Sequence, residues 1–286
     1  MTLSGFRRRF TQNAMDTAHP FASLARWPAW LLACTSGRAT IARFKTGGLK
    51  MQLIPKLHSF GSTSIYIKRD YYEPELLGVG RLIKPGSVVL DIGGSFGIFA
   101  LFMAHFSGPK GRVHSFEPGH FSFSQLSTNV ALNRMEQRIV LHHAAASDRS
   151  ATLQLFHIGG SPVNFSLGGA TGIATEEVPA VRVADLVPAA DAARVSFIKI
   201  DVEGYEIAAL EGARPIIEAA KPVIMFEVSA SALARQGQVP LDVYDFLSSF
   251  GYRFWMLEGT RMVPVEGTPD GNIFAAIADL AQHYAE

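Results

Sequence analysis

The sequence has little cysteine and no long apolar run, and each shortage excludes a class of protein. A single cysteine, Cys34, excludes an internal disulfide and a cysteine-rich zinc site. The apolar stretch over residues 27–34 has eight residues, whereas about 20 are needed to cross a bilayer. No apolar run follows the three arginines at 7–9, so a secretion signal is not expected. We therefore expect a cytoplasmic protein.

Acidic residues are scarce near the N-terminus. Residues 1–60 hold nine Lys and Arg but one acid, Asp16, which gives a net charge of +8 against −7 for the remainder. Proline and glycine interrupt this segment, so we expect a basic helical cap or extension over 1–60 and one domain over 61–286. The charge has three interpretations: a solvated face whose Trp27 and Trp30 cover the domain core, peripheral membrane contact, or nucleic-acid binding. Nucleic acid is not expected, because no recognition motif accompanies the charges.

Apolar strand candidates alternate with helix candidates along the rest of the chain. A Gly- and Ser-rich stretch over 159–177 interrupts the alternation, with a short strand candidate on either side. The order predicts an α/β fold with a mostly parallel, doubly wound sheet and right-handed crossovers. The main strand candidates are residues 65–67, 87–91, 112–116, 139–142, 196–201, 222–227, 252–257 and 272–276.

The strand at 87–91 runs into a glycine turn, residues 91–97, with the sequence D-I-G-G-S-F-G. In open α/β sheets, ligands bind at the carboxyl ends of the strands, at a switch point of the strand order. Gly93, Gly94 and Gly97 can adopt positive φ and let a ligand approach the backbone closely. We therefore expect this turn to hold the amino-acid portion of a cofactor, although such turns are also common as purely structural connections.

Glu117, followed by Pro118, ends the next strand 26 residues after Asp91. An acid at this position can accept both hydroxyls of a cofactor ribose, in proteins that bind NAD and in those that bind S-adenosylmethionine (SAM). A dinucleotide turn needs G-x-G-x-x-G to hold a pyrophosphate, whereas this chain has D-x-G-x-x-x-G. The acid before the glycines would repel a pyrophosphate but can orient the ammonium of a methionine moiety. SAM is therefore the expected cofactor.

The strand at 196–201 continues into Val202, Glu203 and Gly204. Asp201 ends at the ligand-binding edge, on the same face as Lys199. With Glu203 it could orient or deprotonate an acceptor hydroxyl. Alternatively, the two acids only cap the following helix, and Lys199 is either catalytic or simply paired with a carboxylate.

Glu227 ends the next strand at the same edge and is the fourth candidate catalytic residue. It could act as a base, or it could hold Mg²⁺ together with Asp201, since two carboxylates suit that ion. Two acids at a strand edge equally well bind a substrate hydroxyl or a lysine, so no metal is predicted. His157 is a further candidate base.

Four motifs together resemble the FkbM-type family of SAM-dependent methyltransferases, over about residues 60–277. The glycine turn resembles the family's D-x-G-A-N-x-G, with Gly94 and Ser95 where the family usually has Ala and Asn. The other three motifs are F-E-P at 116–118, A-A-S-D at 145–148 and F-I-K-I-D-V-E-G-Y-E at 197–206. The last resembles the family's I-K-I-D-V-E-G-x-E nearly without change.

The resemblance implies a class I Rossmann-like fold with a seven-stranded sheet, and O-methylation of a hydroxyl on a sugar, glycolipid or secondary metabolite. The partner would be a small-molecule or glycan acceptor. Two alternatives remain: a protein of this fold that binds a glycan or partner without catalysis, and an NAD-dependent oxidoreductase, against which the glycine turn argues. The expected cofactor-binding residues are Asp91, Gly93, Gly94, Ser95, Gly97, Glu117, Pro118, Ala145 and Asp201.

Overall fold

The computed structural model describes residues 19–56, 60–157, 165–167 and 175–284. The helices are α1 (Pro20–Ser36), α2 (Phe60–Lys68), α3 (Pro74–Gly78), α4 (Ile98–Ser107), α5 (His120–Leu132), α6 (Val183–Leu186), α7 (Ala189–Ala192), α8 (Glu206–Ala220), α9 (Ala230–Ala234) and α10 (Pro240–Ser248). The strands are β1 (Thr40–Arg43), β2 (Lys50–Leu53), β3 (Val88–Ile92), β4 (Arg112–Phe116), β5 (Ile139–His142), β6 (Ala145–Ala146), β7 (Ala151–His157), β8 (Phe165–Leu167), β9 (Thr175–Val181), β10 (Val195–Ile200), β11 (Val223–Val228), β12 (Arg253–Glu258), β13 (Arg261–Pro264) and β14 (Gly271–Ala276).

The main sheet confirms the predicted α/β class. Its strand order is β13-β12-β14-β11-β10-β3-β4-β5, in which β11, β10, β3, β4 and β5 run parallel. Strand β14 runs antiparallel to both of its neighbours. The sheet has eight strands rather than seven, because β13 pairs with β12 as an additional edge hairpin. The order reverses beside β3, so the carboxyl ends of β3 and β10 form the switch point where ligands bind.

Apolar side chains cover both faces of this sheet. One buried cluster contains Phe197 and Phe102 of α4, and the other contains Ile198 and Ile200 with residues of α8. Adjacent residues of β10 thus face opposite layers, as a strand buried on both sides requires. Among the described helices, none combines the length and the apolar character that a membrane crossing would need.

The N-terminal part differs from the prediction in two respects. Residues 65–67, predicted as a strand, lie inside α2, where every side chain from Ser62 to Ile67 is buried; tertiary packing outweighs the strand propensity of this short run. Strands β1 and β2 form an antiparallel hairpin that was not predicted. Residues 1–18, which include the arginines at 7–9, lie outside the described residues.

Trp27 and Trp30 belong to the core and not to the surface. Their exposed fractions are 4% and 0%. Trp30 stacks on Tyr66 at 4.7 Å between ring centroids, and its indole Nε1 donates to Thr63 Oγ1 at 3.2 Å. These contacts agree with the interpretation that the tryptophans cover the domain core, and they remove both rings from any membrane interface.

A smaller sheet, in the order β6-β9-β7-β8, interrupts the alternation between β5 and β10. Strands β7 and β9 correspond to the predicted short strands on either side of the Gly- and Ser-rich stretch. Most of that stretch, and the side chain of His157, lie outside the described residues. The sheet packs Leu155 and Ala145 together in a small buried cluster.

Candidate active site

A pocket lies at the carboxyl edge of β3, β4 and β10. Its empty volume is about 680 Å³, with open solvent at its mouth included. It includes six of the nine predicted cofactor-binding residues; Asp91, Gly94 and Gly97 are not among its lining residues. The lining is Gly93, Ser95, Phe116, Glu117, Pro118, Ala145, Ala146, Leu155, Asp201, Val202 and Glu203. Leu155 was not predicted, because it comes from β7, which carries none of the motifs. Phe116, Ala146 and Val202 lie within the motifs but were not predicted to line the pocket.

The glycine turn divides its glycines between two roles. Gly93 has φ +87°, and a Cβ there would lie 1.8 Å from the carbonyl oxygen of Asp201, so only glycine fits between the pocket and β10. A Cβ on Gly94 or Gly97 would instead meet Ser115 Oγ at 2.3 Å or Leu126 Cδ1 at 2.6 Å. Gly94 and Gly97 thus allow close packing against β4 and α5, and the expectation that they also contact the cofactor stays a prediction.

Glu117 is buried, with 3% exposure, and its carboxylate borders the pocket. Oε2 accepts from the backbone N–H of Ser95 at 2.8 Å, and Oε1 accepts from that of Gly119 at 2.9 Å. Because each carboxylate oxygen offers two lone-pair sites, each can still accept one hydroxyl. Burial raises the pKa of Glu117 to about 7, against the effect of these two N–H groups. The carboxylate thus fits the two hydroxyls of a ribose.

Asp91 lies in a row across the sheet with Ser115 on β4 and Lys199 on β10. Its side chain is fully buried; Oδ2 accepts from Ser115 Oγ at 2.8 Å, whereas Oδ1 has no hydrogen-bond partner among the described residues. A buried carboxylate oxygen without a donor is costly. Burial raises the pKa of Asp91, although Lys199 opposes the shift. An ammonium group would satisfy Oδ1, as the methionine end of SAM requires.

Lys199 fixes the position of Asp201. Its Nζ donates to Asp201 Oδ2 at 3.0 Å and to the carbonyl oxygen of Gly93 at 3.2 Å, and it lies 5.2 Å from the ring centroid of Phe99. Despite its burial, the carboxylates of Asp201 and Asp91 raise the pKa of Lys199. Lys199 does not border the pocket, so the structure favours the alternative in which it pairs with a carboxylate.

Asp201 and Glu227 form a hydrogen-bonded pair of carboxyl groups. They follow paired positions on β10 and β11, and their side chains hydrogen-bond each other. Although burial opposes it, Lys199 lowers the pKa of Asp201. Burial and then the Asp201 carboxylate raise the pKa of Glu227 to about 8. At neutral pH, therefore, Asp201 is ionised and Glu227 is protonated and donates to it.

Glu203 and Asp201 do not cap the following helix. Helix α8 begins at Glu206, its N-cap residue is Tyr205, and no side chain of the described residues caps it there. Instead the Glu206 carboxylate accepts from the Gly204 N–H at 3.1 Å. Glu203 Oε2 lies 3.9 Å from Arg235 Nη2. The capping alternative therefore fails.

Gly204 permits the turn from β10 into α8, as predicted. Its φ is +102°, and a Cβ would lie 2.4 Å from the carbonyl oxygen of Ala232 on α9. Both the positive φ and the close packing against α9 therefore require glycine at this position.

Asp201, Glu203 and Glu227 form an acidic cluster in which one carboxylate oxygen of each lies within 4.8 Å of the others. Such a set could hold a cation. Asp201 and Glu227, however, already form a hydrogen-bonded pair, and Lys199 Nζ donates to Asp201 Oδ2. These two carboxylates therefore have hydrogen-bond partners within the protein.

Tyr72 and Glu73 extend the acidic cluster, and sequence reasoning missed both. They hydrogen-bond each other; burial, followed by Glu73 and Asp201, raises the pKa of Tyr72, and burial raises that of Glu73 to about 7. Glu73 is the N-cap residue of α3, and the next acid on that helix, Glu75, hydrogen-bonds Asn272 on β14. Helix α3 is thereby anchored over the carboxyl edge, which no motif indicated.

The chain matches the profile of a protein family described as "Methyltransferase FkbM domain" over residues 91–254. A curated relative, 31-O-demethyl-FK506 methyltransferase FkbM from Streptomyces tacrolimicus, is 28% identical over 161 residues, which are 46% of this chain and 62% of that protein. The chain thus spans about three fifths of the length of this relative. The residues that match the family profile include the glycine turn, Glu117 and the acidic cluster.

Solved structures with a similar course of the chain were also found. The methyltransferase FkbM from Methylobacillus flagellatus KT has a TM-score of 0.45 and 16% identity, covering 88% of this chain and 59% of that one. A SAM-dependent O-methyltransferase from Thermotoga maritima has a TM-score of 0.42 and 13% identity, covering 84% and 77%.

Proposed function

Because the chain belongs to the FkbM methyltransferase family, we propose that it transfers a methyl group from SAM to a hydroxyl of a sugar, glycolipid or secondary metabolite. One observation carries the proposal: a pocket with a ribose-binding acid opens directly onto an acidic cluster, and Asp201 belongs to both. Donor and acceptor would meet at that residue. Positioning two reactants in this way supplies most of the rate of a transfer reaction.

The donor side of the site has a complementary group for each end of SAM. Asp91 Oδ1, which lies behind the pocket lining, would accept from the ammonium through a bridging water, Glu117 would accept from the two ribose hydroxyls, and Gly93 leaves room beside β10. When bound, SAM supplies an electrophilic methyl group on a sulfonium. The leaving group is the neutral thioether of S-adenosylhomocysteine, so its departure requires no metal.

The acceptor side has to take up one proton. As the acceptor oxygen bonds to the methyl carbon and the methyl–sulfur bond breaks, the hydroxyl proton passes to a carboxylate. Asp201 is a weak base, because Lys199 lowers its pKa, whereas the pKa of Glu227, about 8, is close to the working pH. We assign proton uptake to Glu227 in its ionised form, and orientation of the hydroxyl to Asp201.

The groups around the cluster suit an acceptor with several hydroxyls. Tyr72, Glu73 and Glu203 add oxygen donors and acceptors near Asp201. A polyhydroxylated ring can satisfy such a set, whereas a carboxylate or phosphate would be repelled by it. This supports a sugar hydroxyl over an anionic group as the methylated position.

Calorimetry with SAM and with NAD, followed by a turnover assay, tests the proposal. SAM is expected to bind and NAD is not. With a panel of neutral and acidic glycans, S-adenosylhomocysteine should form, and one neutral glycan should gain a methyl mass. Binding of NAD in place of SAM, or SAM binding that is unchanged in Glu117→Ala, would contradict the assignment.

A further inference from the structure

Helix α1 is apolar on the side that faces solvent as well as on the side that faces the core. Phe21, Ala25, Pro28 and Leu32 recur at spacings of four, three and four residues, which places them in one stripe. All four are exposed, with Phe21 at 86% and Leu32 at 71%. A helix that is apolar all round is normally buried all round. Half of α1 therefore lacks the polar face that a helix in water requires.

The stretch of chain that carries this stripe is basic. Between Asp16 and Asp70 the sequence has no acidic residue, while residues 19–69 contain eight Lys and Arg. Arg38 and Arg43 follow the C-terminus of α1 and are exposed, as is Ile41 between them. The single charged residue of α1, Arg26, points the other way and donates to the carbonyl oxygen of Ile67. The apolar stripe and exposed arginines are thus joined within one short stretch of chain.

We propose that the exposed face of α1, with the arginines that follow it, docks onto a lipid surface that carries anionic head groups. Phe21 and Leu32 would enter the boundary between head groups and acyl chains, and Arg38 and Arg43 would contact the phosphates, as in helices that lie in the plane of a membrane. The tryptophans of α1 take no part, because both are buried in the core.

Charge decides between this partner and two others. If a second copy docked through the same face, two basic surfaces would come together and repel each other. Residues 1–18 carry three arginines against one acid, so they are also repelled from a basic surface. An anionic membrane complements both the apolar stripe and the charge.

Vesicle sedimentation of the full chain tests the proposal, with neutral phosphatidylcholine vesicles compared with vesicles in which about one third of the lipid is phosphatidylglycerol. The chain should sediment with the anionic vesicles only, and less so at high salt. The double variant Phe21→Ser/Leu32→Ser should weaken binding by on the order of tenfold or more. Arg38→Gln/Arg43→Gln should weaken it by about fivefold for each charge removed.

Matched controls lie on other surfaces. Leu241→Ser removes a leucine that is 52% exposed on α10, and Lys84→Gln/Lys110→Gln removes two exposed charges; both should bind like wild type. SAM affinity and the thermal midpoint should be unchanged in all variants. The experiment can therefore refute lipid binding without refuting the proposed methyl transfer. Equally, methyl transfer can be refuted without refuting lipid binding.

Three results would overturn the proposal. These are equal binding to neutral and anionic vesicles, no binding to either, and full binding by Phe21→Ser/Leu32→Ser. Should that variant not fold, unchanged anionic-vesicle binding by Arg38→Gln/Arg43→Gln would overturn it equally. A dimer that dissociates in Phe21→Ser/Leu32→Ser, without vesicle binding by wild type, would identify a second copy as the occupant instead.

Discussion

The protonation of Glu227 can be measured without knowing the acceptor. Burial and the Asp201 carboxylate raise its pKa to about 8, whereas an unfolded glutamate titrates at about 4.3. Because the folded-state pKa is the higher one, the stability that this group contributes is present at low pH and is lost as the pH rises through about 8. Glutamine has the size of the protonated acid and does not titrate, so Glu227→Gln should abolish this loss.

The size of the loss follows from the two pKa values. Between about pH 6 and about pH 9 the folded protein releases a proton from Glu227, and the unfolded chain has already lost it. Integrating the linkage relation over that range gives a decrease of roughly 2–3 kcal/mol in the free energy of unfolding of wild type. Glu73, Glu117 and Glu206, with pKa values of about 7, add losses that wild type and variant share.

Urea unfolding at both pH values, followed by circular dichroism, measures the difference. Glu227→Gln should lose roughly 2–3 kcal/mol less than wild type over this range, and Glu258→Gln, which changes an exposed acid on β12, should behave like wild type. If wild type and Glu227→Gln lose the same amount, the pKa of Glu227 is not raised. Its assignment as the base would then have no physical reason.

Three further variants test the rest of the site. Asp201→Asn should retain most SAM affinity but slow methyl transfer by about 10²-fold, because the acceptor hydroxyl loses its orienting carboxylate. It should also move the rising limb of the pH–rate profile below about pH 8, because a charge that helps to keep Glu227 protonated is removed; wild-type turnover would contradict an orienting role. Glu117→Ala should weaken SAM binding by roughly 2–3 kcal/mol in calorimetry, since it removes the ribose acceptor and leaves two backbone N–H groups unpaired; an unchanged Kd would place the ribose elsewhere. Gly93→Ala should lower the thermal midpoint and SAM affinity together, because its Cβ would lie 1.8 Å from a carbonyl oxygen, whereas Gly37→Ala, also at positive φ but with open space, should lower the midpoint less and leave affinity intact.

The parts of the fold that the sequence predicted are those in which local pattern and packing agree. Strands β4 and β5 have the predicted bounds, because each is a short segment with turn or loop residues on both sides. The meeting of the glycine turn with Glu117 and Asp201 followed from topology, since all three end parallel strands. The strand prediction for residues 65–67 was wrong, because an isolated run of three apolar residues has no periodicity that distinguishes a helix from a strand.

The parts of the site that were missed depend on long-range placement. Tyr72 and Glu73 reach the acidic cluster only because Glu75 anchors α3 to β14, and nothing near them in sequence indicates that contact. The pKa difference between Asp201 and Glu227 arises from the three-dimensional position of Lys199 and from burial. Sequence alone therefore identified both acids as candidates, whereas the pKa difference on which the proposed assignment of Glu227 as the base depends came from the structure.

The antiparallel direction of β14 bears on how such an enzyme diversifies. Because β14 runs against β11, Asn272 pairs with Glu227, and the segment before Gly271 reaches the sheet edge where the acidic cluster lies. Asp270 in that segment accepts from the backbone N–H of Ala230. The donor pocket is built from β3, β4 and β10, on the far side of β11. Substitutions and insertions before β14 would therefore alter the proposed acceptor side without changing the strands that form the proposed cofactor pocket.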